Sequence, residues 1–415
     1  MTGASGGAAR RHWWVAVIAL AVAMRLFALF LASDLWHVGD PSAYVGLAER
    51  LAAGQGVVLP RFEGASATPT AQYPPGLPLL LAGVALVFPL GSLTLCIVNS
   101  LIDIAAALLL GRLSAQFGRP DLSAPLGLAY LAWPSIALMA PLAYKEGLFI
   151  ALLLTSLVAL LEARRGALRW AMASGVAAGA MILTQPAAAP FLPLAFLAVM
   201  PAFGDRARWL RFSLVAAGVA VLVMLPWWVR NAITFGSFIP LTTSGGLALW
   251  QGAHPAGGMQ FQPPPSAWAY ADEPAAAQLA KSAAWQMILS DPLAYVQRCL
   301  VKFPASFLMT NWALDQLILA GGQPLPGLTR WPVLRLIPTL AELFVVILAI
   351  IGALRLPRSI PARLLWASVA QIMMFGIWFE FSERHRAFMV PFILLMAATV
   401  LIGNSRRLSA TPETR

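Results

Sequence analysis

The sequence predicts an all-α polytopic membrane protein with about ten transmembrane helices. Of its 415 residues, 60% are hydrophobic and only 11% are charged. Several apolar runs approach the roughly 20 residues that a helix needs to cross a bilayer. Arginines cluster at the ends of alternate apolar runs, which is the distribution that the positive-inside rule describes. We therefore treat residues 1–415 as a single integral membrane domain.

The apolar runs place the transmembrane helices along the chain. The predicted spans are, in order, residues 13–32, 93–111, 122–139, 147–161, 170–183, the run between Pro190 and Arg206, 212–229, 334–354, 364–379 and a last helix that ends before Arg406. If these helices alternate in direction, the arginine-rich ends share one side, which predicts a cytoplasmic rim and cytoplasmic N- and C-termini. The net charge of +11 then belongs to that rim and does not indicate nucleic-acid binding.

Two long segments between the spans are predicted to lie on the opposite, periplasmic side. The first, residues 33–92, would contain an interfacial helix at 76–90, because about 14 residues between Pro75 and Pro89 are few for a span. The second, residues 230–333, would contain another interfacial helix at 302–322, where polar residues interrupt the apolar run. Counting either helix as a span would move the following arginines to the periplasm, against the positive-inside rule.

Cysteine and histidine spacing indicates neither a disulfide framework nor a metal centre. Cys96 and Cys299 are far apart in the sequence, and the four histidines lack the spacing of metal ligands. Arg25 and Asp103 lie inside the first and second predicted spans. Because a lone charge in hydrocarbon is costly, we predict that these two residues form a structural pair.

Ionisable residues at the periplasmic ends of the spans are the candidates for chemistry. Asp40 follows the first span, Lys145 and Glu146 stand where the third span exits, Arg230 follows the seventh, and the run Glu383–Arg386 precedes the last. The alternation of spans places all of them on one side of the membrane at similar depth. Carboxylates would thus face guanidinium groups across one pocket.

Each candidate also has a purely structural interpretation. Asp40 before Pro41 is a common helix start signal. Glu146 is suited to a helix N-terminus, and Arg230 behind two tryptophans is typical of an interfacial anchor. The run Glu383–Arg386 could be a solvated turn. These readings stay open at this stage, since capping does not exclude catalysis.

Several short motifs, taken in order, resemble the GT-C membrane glycosyltransferases. They are Gly39–Gly54 (GDPSAYVGLAERLAAG), Tyr73-Pro74-Pro75, Glu146, Pro226–Asn231 (PWWVRN) with Phe235-Gly236, and Glu383–Arg386 (ERHR) with Pro391. The resemblance runs from about Asp34 to Pro391 and is nearest to bacterial relatives of protein O-mannosyltransferases and of the lipid A aminoarabinose transferase. It implies a GT-C-like fold in a bacterial-type cytoplasmic (inner) membrane, with a periplasmic active site.

The resemblance implies transfer of a sugar from a polyprenyl-phosphate-linked donor to a hydroxyl of a glycan, lipid or protein acceptor. Asp40 would be the general base, and Glu146 would orient the acceptor or join Asp40 at a divalent cation, Mg or Mn. Cationic side chains would bind the donor phosphate, because guanidinium groups match phosphate oxygens; the candidates are Arg230, Arg384, Arg386 and Lys145. The remaining candidates for the substrate pocket are Tyr44, Tyr73, Asn231 and His385.

Two departures from the family pattern leave metal use and acceptor class open. The usual Asp-Glu pair of the first loop is Asp40-Pro41 here, and Glu146 stands where Asp is commoner. A rival function is a transporter or flippase of a lipid-linked or small solute, although such proteins place their charges at the bilayer midplane between repeats. A third is a protein that binds a lipid-linked sugar without turnover.

Overall fold

The computed structural model describes residues 4–32, 39–61, 64–255, 262–308, 314, 317 and 332–402. The α-helices within these ranges are α1 (Ala4–Leu31), α2 (Gly39–Ala52), α3 (Gly76–Ala85), α4 (Ser92–Gln116), α5 (Ser123–Leu131), α6 (Pro134–Leu138), α7 (Glu146–Ala163), α8 (Leu168–Thr184), α9 (Phe191–Val199), α10 (Arg206–Phe235), α11 (Gly245–Ala253), α12 (Glu273–Ser290), α13 (Pro292–Leu308), α14 (Pro332–Arg355), α15 (Ile360–Gln371) and α16 (Val390–Leu401). A small antiparallel hairpin, β1 (Val58–Pro60) with β2 (Ala67–Pro69), sets Leu59 opposite Thr68.

The helices confirm the prediction of an all-α polytopic membrane protein. Within the described ranges, six segments are long and apolar enough to cross a membrane: Trp13–Leu31, Ser92–Gln116, Glu146–Ala163, Arg206–Phe235, Leu336–Arg355 and Glu383–Leu401. Shorter apolar helices cover Gly76–Ala85, Leu168–Thr184, Phe191–Phe203 and Ile360–Gly376. The predicted span 122–139 is divided into α5 and α6, because Trp133 is extended before Pro134 and a proline cannot continue the preceding helix.

The two segments predicted to be interfacial differ in what the structure describes. The first is α3, which ends at Ala85; its ten residues would extend about 15 Å, well short of a bilayer. Its buried face, with Leu77 and Leu81, packs against Tyr44 and Ala48 of α2. The second begins within α13 at Lys302, and most of its remainder lies outside the described residues.

Helix α7 is the centre of the molecule. Of its apolar window 78% is buried inside the protein, against 17% for Trp13–Leu31 of α1, so α7 is surrounded by protein and α1 presents most of its surface to lipid. Small residues bring the neighbouring helices close to one another, since a Cβ on Gly175 of α8 would lie 2.4 Å from the carbonyl oxygen of Ala216 in α10. Helices α8 and α10 thus pack with close backbone approach.

Charges inside the helical bundle are neutralised in pairs. Arg25 Nη2 lies 2.8 Å from Asp103 Oδ2, and Arg25 also donates hydrogen bonds to Ser100 Oγ and to the carbonyl oxygen of Leu131. The predicted pairing of Arg25 with Asp103 is therefore confirmed. A second buried pair joins Arg386 to Glu342 of α14.

The arginine-rich rim and the candidate site lie at opposite ends of α7. Arg112 and Arg165 both pair with Glu162 near the C-terminal end of this helix, whereas Glu146 is its first residue. The 18 residues of α7 separate the two ends by about 27 Å. The predicted contrast between a basic end and a site end is thus built into one central helix.

Candidate active site

Asp40 stands in the first turn of α2, directly after Gly39, whose backbone conformation is easily adopted only by a residue without a side chain. Gly39 has φ +75°, in the left-handed region that favours glycine. Helix α2 then begins, with Asp40 as its acidic first-turn residue, where the positive end of the helix dipole favours a carboxylate. The Gly39-Asp40-Pro41 run therefore fixes the direction from which the carboxylate is presented.

Arg384 brings the last part of the chain to Asp40. Its Nη1 lies 2.5 Å from Asp40 Oδ2, and its Nη2 lies 3.5 Å from Glu380 Oε1. The guanidinium carbon is 5.9 Å from the centre of the Tyr144 ring. The side chains of Arg384 and Asp40 are 12% and 26% exposed, so this ion pair is shielded from solvent yet still reachable.

Lys145 and Glu146 join the same group from the start of α7. Lys145 Nζ lies 5.8 Å from the centre of the Tyr44 ring, which packs edge-on against Tyr73 at 5.3 Å. Glu146 is 2% exposed, and neither of its carboxylate oxygens has a hydrogen-bond partner among the described residues. We call Asp40, Lys145, Glu146, Glu380 and Arg384 the charged cluster; it combines three carboxylates with two cations.

The electrostatics of the cluster keep Asp40 ionised. Burial by itself would raise the pKa of Asp40, but the charges of Arg384 and Lys145 and the hydrogen bond from Arg384 outweigh it and hold this pKa below its ordinary value. Burial lowers the pKa of Lys145, and the neighbouring Asp40 and Glu146 partly offset this effect. Burial, followed by the charge of Asp40, raises the pKa of Tyr73. The phenol therefore stays protonated beside an ionised carboxylate.

Arg386 is a predicted phosphate-binding residue that the structure places away from the charged cluster. Arg386 is 1% exposed; it pairs with Glu342, donates to the carbonyl oxygen of Ser306 at 2.9 Å and lies over the Phe307 ring. The prediction that Arg386 faces the pocket beside Arg384 is corrected accordingly. The two residues are two positions apart in the 3-10 helix at Glu383–Met389, which has three residues per turn, so their side chains point in different directions.

Arg230, Asn231 and His385 have local structural partners. Arg230 donates to the carbonyl oxygens of Thr70 and Val57 at 2.9 and 3.0 Å, and so holds the segment that follows α2 against the end of α10. Asn231 is fully buried and donates to the carbonyl oxygen of Ile239. The Nδ1 atom of His385 accepts from the backbone N–H of Ser382 at 3.0 Å, capping the 3-10 helix.

Two members of the site were missed in the sequence analysis. Glu380 precedes Arg384 by four residues, and Tyr144 precedes Lys145 directly. The i,i+4 spacing of Glu380 and Arg384 is a recognisable pairing signal. Glu342 was also missed; as an acid inside a predicted span it required a cationic partner, which would have drawn attention to Arg386.

Lysine 302 holds the segment that carries Glu380. Its buried Nζ donates to the carbonyl oxygens of Gly252, Ile377 and Phe379 at 3.0, 3.1 and 3.1 Å. A Cβ on Gly252 would lie 2.6 Å from the backbone of Phe379, so this glycine is needed for the close approach. Segment 377–380 is thereby fixed against α11 and α13, and it leads along the chain directly to Arg384.

The charged cluster does not provide a recognisable metal ligand set. Among the residues that the structure describes, no group of three His, Cys, Asp or Glu side chains could hold a metal ion. Mg and Mn take several oxygen ligands, whereas Asp40 already binds the Arg384 guanidinium. The residues that surround Asp40 therefore fit cationic side chains better than a bound divalent cation.

Solved structures of an archaeal oligosaccharyltransferase, AglB from Archaeoglobus fulgidus, resemble this chain. The complex with an inhibitory peptide and a dolichol-phosphate gives a TM-score of 0.53 at 16% identity, covering 95% of this chain and 50% of that one. The complex with Zn and sulfate gives 0.52 at 14% identity, covering 92% and 48%. This chain shares their membrane fold.

The likeness is one of fold and covers about half of the archaeal protein. A third structure, tethered to an acceptor peptide containing the NVT sequon, gives a TM-score of 0.52 at 13% identity over 93% of this chain and 49% of that chain. The chain thus spans about half the length of these oligosaccharyltransferases. No protein-family model and no curated protein matches it, so the nearer kinship to bacterial transferases stays a prediction.

Proposed function

We propose that this protein is a membrane glycosyltransferase that moves a sugar from a polyprenyl-phosphate-linked donor to a hydroxyl acceptor. The observation that supports it most is the ion pair between Asp40 and Arg384. This pair joins the start of α2 to the 3-10 helix at Glu383–Met389. Together with Lys145 and Glu146, it forms a half-buried site that offers both a base and cations. The proposed setting is the periplasmic face of a bacterial-type inner membrane.

The proposed reaction is a direct displacement at the anomeric carbon of the donor sugar. The acceptor oxygen forms a bond to this carbon while the bond from the carbon to the phosphate oxygen breaks. The electron pair of the broken bond leaves with the polyprenyl phosphate, and the acceptor proton passes to the carboxylate of Asp40. Because its pKa is held low, Asp40 is ionised and ready to accept the proton at neutral pH.

Arg384 and Lys145 are the proposed partners of the departing phosphate. Negative charge grows on the leaving oxygen in the transition state, and fixed cations in a site of low polarity stabilise it. Arg384 lies against Asp40 and Glu380, so its guanidinium is already oriented before the donor binds. We assign Arg230 and Arg386 no phosphate contact, because each is engaged by partners elsewhere.

Glu146 is the proposed orienting residue for the acceptor. Its two carboxylate oxygens are buried and have no hydrogen-bond partner among the described residues, so the carboxylate is a ready acceptor of a hydroxyl hydrogen bond. The divalent cation predicted from the resemblance would have to use Asp40 and Glu146. Loss of transfer in EDTA, restored by Mg or Mn, is the result that the cation hypothesis requires.

The rival proposal of a transporter has less support in the described residues. The two charge pairs within the helical bundle, Arg25 with Asp103 and Arg386 with Glu342, are each internally neutralised. The charged cluster instead lies at one end of α7. A binding protein without turnover would keep the same geometry, so only a transfer assay separates it from an enzyme.

The experiment uses the full-length chain in lipid nanodiscs with radiolabelled polyprenyl-phosphate sugars and a membrane extract as the acceptor source. We expect a labelled product with the native protein and its loss with Asp40→Asn. Glu49→Gln, an exposed carboxylate on the same helix, is the matched control and should transfer normally. Full transfer by Asp40→Asn, or stoichiometric donor binding with no product from any extract, would overturn the proposal.

A further inference from the structure

A cavity of about 500 Å³ with a mixed polar and apolar lining lies beside the charged cluster and is not used by the reaction described above. One face of α2 forms its first wall, through Gly39, Ser42, Ala43, Gly46 and Arg50. Residues at these spacings share a face of a helix. The face that carries Tyr44, Val45 and Ala48 is buried in the protein instead. Asp40 is not among the lining residues, but it directly follows Gly39, which forms the start of this wall, and is therefore next to one end of the cavity.

The opposite walls come from residues 243–247 and 264–280. Thr243, Ser244 and Trp268 line the cavity, together with Glu273 and the α12 surface. Gly246 allows α11 to approach α12 closely, because a Cβ there would lie 2.2 Å from the carbonyl oxygen of Ala277. Trp268 packs edge-on against Trp250 at 5.5 Å. The cavity is thus enclosed by elements that are packed against one another.

Hydrogen bonds connect the walls of the cavity. They engage the backbone N–H and C=O groups of the wall residues. Glu273 Oε1 accepts from the backbone N–H of Ala71 at 2.7 Å and from the hydroxyl of Thr243 at 2.6 Å. The N–H of Thr243 donates to the carbonyl oxygen of Ala71 at 3.0 Å. Arg230 donates to the carbonyl oxygen of Thr70. A peptide that bound by strand addition needs such backbone groups to be available.

Beside proline, alanine and leucine residues, the lining has polar and aromatic groups that are suited to a carbohydrate. Hydroxyl and amide side chains, from Ser42, Thr70, Gln72 and Ser244, can exchange hydrogen bonds with sugar hydroxyls. The half-buried ring of Trp268 offers an amphipathic face for the apolar side of a sugar ring. A ring and several hydroxyl partners in one preformed cavity favour a saccharide over an acyl chain.

Two guanidinium groups line the cavity, and one of them, Arg50, stands at the end of α2 away from Asp40. Arg50 lies at the C-terminal end of α2 and Arg61 follows β1, and both line the cavity. Arg50 donates to Gln55 Oε1, and Arg61 to the carbonyl oxygen of Ala271. A guanidinium carries five N–H donors, so one such bond leaves donors for an anionic ligand. Ten helical residues separate Arg50 from Asp40 by about 15 Å.

We infer that this cavity binds the acceptor, and that the acceptor is an oligosaccharide carrying a carboxylate or phosphate group distant from the hydroxyl that is glycosylated. The inference rests on the proposed glycosyltransferase function. Asp40 would meet the reacting hydroxyl at one end, while Arg50 and Arg61 bind the anionic group at the other. A separation of about 15 Å fits an oligosaccharide rather than a monosaccharide.

Binding of model saccharides to the full-length protein in nanodiscs tests the inference without any turnover. Calorimetric titration compares trigalacturonic acid, which is anionic, with maltotriose, which is neutral and of equal length. We expect the anionic trisaccharide to bind roughly tenfold more tightly, since charge-assisted hydrogen bonds are the stronger ones. The Arg50→Gln/Arg61→Gln double variant should remove this preference, and Trp268→Ala should weaken both ligands.

Lys281→Gln is the matched control, because it removes a positive charge from the exposed surface of α12 without touching the cavity lining; it should bind both sugars normally. Equal affinity for both sugars, undetectable binding of both, or tighter binding of an acidic serine-rich hexapeptide would overturn the inference. Asp40→Asn should keep trigalacturonate binding while losing transfer. Transfer without saccharide binding would reject the inference alone, and binding without transfer would reject the enzyme alone.

Discussion

At the scale of single residues, the chemistry of the site depends on what surrounds one carboxylate. A buried aspartate would normally have a raised pKa, and Asp40 has a lowered one because Arg384 and Lys145 lie beside it. The same arginine that would stabilise the leaving phosphate therefore keeps the base ionised. Base and cation are not separable functions in this arrangement.

Replacing Asp40 by asparagine removes the proton acceptor but keeps the shape of the side chain. We expect a loss of roughly 10²–10⁴-fold in the rate of sugar transfer, which is the usual contribution of a general base. The rate is measured with labelled donor at equal amounts of folded protein. Glu49→Gln should be indistinguishable from the native protein, and a loss of equal size there would point to a general effect on α2.

Replacing Arg384 by glutamine should change how transfer depends on pH. Without this cation the burial of Asp40 is less compensated, so its pKa rises. The base is then protonated at a higher pH, and the acidic limb of the profile of kcat/KM moves to higher pH. Arg384→Lys keeps the charge and should shift the limb less. If the acidic limb of the profile does not move in Arg384→Gln, Arg384 does not set the pKa of the catalytic base.

At the scale of elements, short segments connect the helices to the site. Helix α2 has one face buried against α3 and the other along the cavity, so the same 14 residues form both core and cavity wall. The 3-10 helix at Glu383–Met389 likewise sends Arg384 to the site and Arg386 into the protein. These elements explain why neighbouring residues have unrelated roles.

The Arg386 pair should matter for stability rather than for donor use. Removing one partner of a buried ion pair leaves an uncompensated charge, at a cost of about 3–5 kcal/mol. We therefore expect Arg386→Met to lower the free energy of unfolding by that amount in detergent, and Glu342→Leu/Arg386→Met to recover most of it. The KM for the donor should stay constant in both.

Arg355→Gln is the control for this series, because Arg355 is an exposed basic residue at the end of the same helix, α14. Its effect should stay within about 0.5 kcal/mol, as for most surface substitutions. A raised donor KM in Arg386→Met with unchanged stability would restore the phosphate role that the sequence motif predicted.

At the scale of the whole molecule, the two ends of α7 are chemically different. The basic rim around Glu162 and the charged cluster around Glu146 lie at opposite ends. The positive-inside rule then assigns the rim to the cytoplasm. The acceptor cavity and the active site would face the periplasm together.

Cysteine labelling on intact cells tests this orientation. Arg169→Cys lies near the basic rim and Lys281→Cys on α12 near the cavity, and both positions are exposed. A membrane-impermeant maleimide should label Lys281→Cys directly and Arg169→Cys only after permeabilisation. The native Cys96 and Cys299 are free but buried, so their background should be low. The reverse labelling pattern would invert the proposed topology.

Hydrophobicity and charge predicted the fold because lipid constrains them along the sequence. They identified the helical class, a short apolar helix at α3 and the pairing of Arg25 with Asp103. The grouping of Asp40, Lys145 and Arg384 was also expected, since each follows or precedes a span on the same side. The direction of the side chains was not expected, because a two-residue step along a 3-10 helix separates Arg384, which faces Asp40, from Arg386, which is buried against Glu342. The break at Pro134 was likewise missed among apolar residues.

The ammonium group of Lys302 occupies a ring of three carbonyl oxygens, much as an alkali ion would. Two of those oxygens belong to the stretch before Glu380 and one to α11. The positive charge, which is carried by α13, therefore connects three separate parts of the chain. Shortening or neutralising that side chain would leave the carbonyl dipoles facing one another. Lys302 thus helps to position Arg384, which pairs with Asp40, although Lys302 itself lies outside the charged cluster.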